Sequence, residues 1–93
     1  MSPNNSSVEF LKLQEKYLLN FNSKLKLLDE HFVAKDFSSI ANHFHKFKGN
    51  GLTYGFKPIT DIAIIVDKHY KQKSPDFEKW ARIGLALIKQ ILP

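Results

Sequence analysis

The sequence predicts an all-α protein, an antiparallel up-down bundle of four helices in a single domain. Apolar residues recur at three- and four-residue steps in four successive segments, the period of a helix with one buried face. No segment alternates apolar and polar residues cleanly enough to be a half-buried strand. The connections between segments are short, which favours antiparallel neighbours.

The first helix is expected to open near Ser6, where Ser6-Ser7-Val8-Glu9 fits a capping box, leaving residues 1–6 as a flexible tail. Phe10, Leu13, Tyr17, Phe21, Leu25, Leu28 and Phe32 form its apolar stripe. Asn20 and Asn22-Ser23 leave open a division into two shorter helices. Lys35-Asp36 is the next break, and Asp36 is a suitable N-cap for a helix starting at Phe37. Phe37, Ile40, Ala41, Phe44 and Phe47 supply the second stripe. Gly49, Gly51 and Gly55 follow within seven residues. Each would weaken an isolated helix by up to about 1 kcal/mol relative to alanine, so they ask for a reason. Gly55 is expected on the core side, where the missing side chain lets another helix approach. The third helix should start at Pro58, a residue suited to the first helical position, with Ile59, Ile62, Ala63, Val66 and Tyr70 inward. Ser74-Pro75-Asp76 opens the last, an N-cap, a proline and an acidic first turn. Phe77, Trp80, Ile83, Leu87, Ile88 and Ile91 are its expected core face.

The chain has 93 residues, 43% of them hydrophobic, which suits one domain spanning 1–93 with a modest stability margin. It has no cysteine, so neither a disulfide framework nor a thiolate metal site braces it. No stretch approaches the roughly 18 apolar residues that cross a membrane, and the polar start lacks a signal-peptide pattern. The expectation is a cytoplasmic, monomeric protein without membrane contact. A net charge of +5 and a pI near 9.5 would suit nucleic acid, anionic lipid or an acidic protein partner. The basic residues are scattered over all the helices without a recognition motif, which turns the reading away from nucleic acid.

Of the histidines His31, His43, His45 and His69, His43 and His45 point about 200° apart on a helix. Helical metal ligands need a spacing of three or four, so no metal site is expected. The run Gly49-Asn50-Gly51 follows helix rather than strand, unlike a phosphate-binding glycine loop. On a helical wheel His45 lies about 80° from the core direction set by Phe37, Ala41 and Phe44. Its ring is then supported while its far nitrogen reaches solvent. Gly49 lies one turn on, leaving space beside the imidazole, and Lys48 can extend its ammonium towards it. A neutral imidazole is a competent nucleophile near neutral pH, and a nearby cation can neutralise a transferring phosphoryl group. The same geometry also describes a boundary histidine beside a lysine on a solvated face.

The string His45-Lys46-Phe47-Lys48-Gly49-Asn50-Gly51-Leu52-Thr53-Tyr54-Gly55-Phe56 resembles the signature of histidine phosphotransfer domains. That family shows a histidine, a lysine three on, a glycine next, and a second glycine ten past the histidine, which His45, Lys48, Gly49 and Gly55 match. The likeness extends through Pro58-Ile59 to Asp67, where the family often carries an acidic residue. Phe44 stands where alanine is common, and Asn50 where a small hydroxyl residue is common; neither change removes a reacting group. The resemblance implies a four-helix bundle in which His45 accepts a phosphoryl group from an aspartyl phosphate of a receiver domain, or from a kinase, and passes it to another receiver aspartate. Lys48 would steady the phosphoryl group, and Phe44, Lys46, Gly49, Asn50 and Leu52 would form the docking surface. Such a protein is a carrier rather than an enzyme. It needs no cofactor of its own, because the receiver side supplies the magnesium. Its partners would be response-regulator receiver domains and a hybrid sensor kinase. The alternative is a helical module that binds a receiver or kinase without phosphotransfer.

Overall fold

The computed structural model describes the backbone of residues 3–91 and the side chains of residues 8–91. The helix period of the apolar residues is realised as α1 (Pro3–Val33), α2 (Phe37–Thr53), α3 (Lys57–Lys71) and α4 (Phe77–Ile91). No strand occurs among the described residues, and no helix there is long and apolar enough to cross a membrane.

Helix α1 is continuous through Asn20 and Asn22-Ser23, and it starts at Pro3 rather than at Ser6. Proline suits a first helical position because its missing N–H would have no partner there. The expected capping box is therefore not the helix start. Of the expected tail, Met1 and Ser2 lie outside the described residues. At 31 residues and about 1.5 Å per residue, α1 accounts for most of the 52 Å long axis. The other three helices have 15 to 17 residues, so α1 outruns them. Phe10 and Leu13, expected inward, are consequently exposed. Asp36 caps α2 as expected, accepting hydrogen bonds from the Ser39 backbone N–H and from its hydroxyl. Helix α4 begins at Phe77; Ser74-Pro75-Asp76 forms the turn before it, with the Ser74 hydroxyl accepting from the Asp76 N–H.

One apolar cluster holds the helices together. Phe21, Leu28, Ile40, Phe44, Phe47, Ile59, Val66 and Ile88 are its largest fully buried members. Each large side chain taken from water contributes about 1.5–3 kcal/mol. Tyr70 and Leu87, expected inward, are exposed, while Ala81, Gly84 and Leu85 are buried in α4. Small residues set the helix spacing. A Cβ on Gly84 would sit 2.8 Å from Phe44 Cε1, and one on Gly51 would sit 2.6 Å from Thr60 Oγ1. Gly51 thus admits Thr60 of α3. Gly55 is exposed rather than on the core side, yet the close approach expected there is present and comes from α1, with Gln14 Nε2 2.7 Å from a Cβ placed on it. Gly55 lies beyond α2 at φ 84°.

Three helix ends share one construction. The N–H groups of Asp36, Phe56 and Ser74 donate back five residues, to His31, Gly51 and His69. The residues before them, Lys35, Gly55 and Lys73, donate back three, to Phe32, Leu52 and Tyr70. This is the Schellman closure, which needs a left-handed residue. Gly55 adopts it freely, whereas Lys35 and Lys73 hold φ of 54° and 53°. A side chain in that region costs about 1–2 kcal/mol, and the extra freedom of an unfolded glycine offsets about 0.5–1 kcal/mol of that. Lys35→Gly should therefore raise unfolding stability in urea by about 0.5–1 kcal/mol, and Gly55→Ala should lower it by at least as much. A loss of stability in Lys35→Gly would show that this turn is not strained.

Candidate functional site

Helices α2 and α3 meet along a line of α3 that carries Thr60, Ala63 and Asp67, three to four residues apart and all buried. At its lower end the Thr60 hydroxyl accepts from the Leu52 N–H at 2.7 Å, which ties the last turn of α2 to the first turn of α3. At its upper end Asp67, only 5% exposed, faces α2 with its carboxylate. Lys48 of α2 donates to Oδ2 at 2.8 Å. Lys71, one turn beyond Asp67 on α3, reaches the same oxygen at 2.9 Å. His45 Nδ1 lies 3.3 Å from Oδ1.

These contacts decide the chemistry of the histidine. Burial on its own pushes the Asp67 carboxyl up, but the hydrogen bonds from Lys48, Lys71 and His45 outweigh it and hold the group at about 2. The carboxylate is thus ionised at neutral pH and can only accept. Nδ1 of His45 must therefore be the donor, which leaves the lone pair of the neutral ring on Nε2. The side chain of His45 is 57% exposed. It borders an open hollow of about 300 Å³ lined by Ser38, Ala41, Asn42, Asp67, Tyr70 and Lys71. A Cβ on Gly49 would meet no atom within 4 Å, so the surface one turn along is open as well.

The other expected site residues divide. The Lys48 ammonium binds the same Asp67 carboxylate that the imidazole approaches. Leu52 is exposed. Phe44, expected on the docking surface, is fully buried against Gly84. It therefore belongs to the core, because its position falls on the α2 face that meets α4. Asn50 accepts from the Tyr17 hydroxyl at 2.7 Å and so faces α1, away from His45. Lys46 is exposed, and its charge acts on His43 on that same side. Burial first, then the positive charges of His31, Lys46 and Lys24, holds His43 below the ordinary imidazole value. His43 and His45 thus face different helices, as their spacing requires. Among the described residues no group of three or more histidines and carboxylates is placed to hold a metal ion.

Asp67 and Lys71 join His45 and Lys48 in the site; the resemblance marked Asp67 as an acidic position without giving it a role, and nothing in the sequence marked Lys71. The available signal was an aspartate in register with the apolar stripe of α3, one turn past Ala63 and one turn before Lys71. A carboxylate there must find cations or lose its charge.

Comparison of the chain with protein-family profiles, curated proteins and solved structures gives no match.

The depressed Asp67 value has a sign that can be checked. The stabilisation is complete above the ordinary value of 3.8 and is lost as pH falls through about 2. With solvent screening on the side of the exposed partners, the contribution is on the order of 1 kcal/mol. Asp67→Asn should be less stable than the parent at neutral pH, with the gap closing between about pH 4 and 2. Urea unfolding across that range tests it, and a gap independent of pH would show that the carboxylate is not held by these cations.

Proposed function

We propose that this chain is a phosphocarrier of the histidine phosphotransfer kind, with Nε2 of His45 as the phosphoryl acceptor. The observation that carries the reading is the exposed imidazole backed by a buried, ionised carboxylate. It joins the resemblance of the His45–Phe56 segment to a chemistry that the arrangement can perform.

The lone pair on Nε2 attacks the phosphorus of a receiver's aspartyl phosphate. A P–N bond forms as the acyl-phosphate P–O bond breaks, and the electron pair leaves with the aspartate carboxylate. The ring keeps its proton on Nδ1 and becomes a cation, which Asp67 neutralises from behind. Reversal onto another receiver aspartate returns the neutral ring. Lys48 and Lys71 share one carboxylate, so one positive charge is in excess close to the incoming phosphoryl oxygens. Asp67 is a positioning residue: it selects the tautomer and steadies the charge without touching phosphorus. The receiver supplies magnesium and its own acidic cluster, and the open surface at Gly49 gives it room.

This reading makes the protein a cytoplasmic, monomeric carrier rather than an enzyme, with four helices in up-and-down antiparallel order. The order is supported by contacts that run oppositely along successive helices. Tyr17 stacks on Tyr54 while Phe21 meets Phe47, Gly51 meets Thr60 while His45 meets Asp67, and Ile62 meets Gly84 while Tyr70 meets Phe77.

The test is transfer of label from aspartyl-phosphorylated receiver domains of the source cell, with phosphoramidate as a small donor that needs no docking. The parent protein should gain acid-labile, base-stable label, and His45→Gln should gain none. Asp67→Asn should slow phosphorylation by about tenfold or more. It should also shift the His45 ring nitrogens away from the Nδ1–H tautomer in ¹⁵N spectra, a change that lost stability alone does not produce. Receivers that bind the folded protein but transfer nothing, with phosphoramidate also inert, would replace the carrier with a non-transferring binding module.

A further inference from the structure

The hollow beside His45 does not end at Tyr70 and Lys71. Both residues also line a larger groove of about 590 Å³ where the end of α3 turns into α4. Its walls are aromatic and apolar: Phe37 from the start of α2, Tyr70, Pro75 and Phe77. The rings support one another, with Phe77 5.9 Å from Phe37 and 5.1 Å from Tyr70 between centroids. In the turn beneath, Lys73 closes the helix end at φ 53° and the Ser74 hydroxyl pairs with His69 Nδ1 at 2.9 Å. Tyr70, at an inward position by period, is 40% exposed because its ring forms a wall of the groove.

The rim is positive. Lys71, in the last turn of α3, and Lys73 after it both line the groove. Asp67 is shared by two lysines, and Glu78 is matched by Arg82 at 2.8 Å, which leaves Asp76 as the remaining carboxylate of this turn. Cations at a helix C-terminus are favourable in themselves, but that preference does not explain aromatic rings left uncovered among them. An apolar groove with a basic rim is complementary to an apolar side chain carried between acidic ones.

We propose that this groove binds an acidic segment of a partner protein that inserts a leucine or phenylalanine between Phe37, Tyr70 and Phe77. The binding stands independently of phosphate on His45, because no groove residue needs the imidazole. Its continuity with the hollow would nonetheless seat the same partner beside the histidine.

The probe is a fluorescein-labelled synthetic peptide with leucine and phenylalanine at its centre and aspartates on both sides. Control peptides carry alanines at the centre, or lysines in place of the aspartates. Anisotropy on the full chain should show binding that weakens at least about tenfold with either control, a difference of about 1.4 kcal/mol. Tyr70→Ala should weaken it about fivefold or more, and Lys73→Gly should weaken it less while flattening its salt dependence. Lys73→Gly suits the left-handed turn, so it keeps the fold even if Tyr70→Ala does not; circular dichroism checks both. His45→Gln should bind the peptide as the parent does, which separates this result from the phosphotransfer test. Equal binding of the lysine-flanked peptide, unchanged affinity in both groove variants, or no binding at millimolar peptide would overturn the proposal. So would a concentration-dependent dimer that excludes the peptide, which would assign the groove to a second copy of the chain.

Discussion

Taking a carboxylate out of water costs several kcal/mol even after the surroundings relax, and at Asp67 that cost is met by cations from two helices. Lys48 comes from α2 and Lys71 from α3, both on Oδ2, while His45 approaches Oδ1. Because the charge is buried, a slip of α2 along α3 by one residue would take Lys48 and His45 from it and leave only Lys71 of its own helix. Register between the two helices is thus held by polar contacts as well as by packing. The same contacts determine which nitrogen of His45 faces outward with its lone pair. Helix register and the orientation of the imidazole therefore rest on one group.

The short connections follow from residues that serve two helices. Asp36 donates its N–H to close α1 and uses its side chain to cap α2. The Phe56 N–H closes α2, and its carbonyl accepts from Ile59 in the first turn of α3. Such sharing leaves little slack between helices; Gly51 then lets the Thr60 backbone come close, and Gly84 makes room for the Phe44 ring. A small domain without disulfides gains more from this economy than a large one, since its buried surface is limited.

The polar site and the aromatic groove occupy adjoining parts of one face because Tyr70 and Lys71 are consecutive on α3. On a helix, consecutive residues diverge by about 100°, so Tyr70 turns towards Phe77 while Lys71 turns back to Asp67. The face opposite is of another kind: there Tyr17, Asn50 and Tyr54 tie α1 to α2 through a hydrogen bond and stacked rings.

Helix number, the core stripe of α2, that of α3 from Ile59 to Val66, the cap at Asp36 and the exposed position of His45 were all legible in the sequence, because each depends on residues within one or two turns. The glycines near the end of α2 were legible only as a question. Gly49, Gly51 and Gly55 look alike in the string, yet one opens a surface, one admits Thr60 and one closes a turn. The misplacements had the same origin. Phe10 and Leu13 keep the apolar period of α1 but lie where the shorter helices no longer cover it, and Phe44 fits a surface position by motif yet faces Gly84. Asp67 stood in the sequence as an acidic residue on an apolar stripe. That it would face His45 and Lys48 depended on how far α3 slides along α2. The sequence by itself determined which residues form helices and which faces are apolar, since those are properties of local period. Only the tertiary structure decided which polar groups meet, because those distances arise from packing between helices.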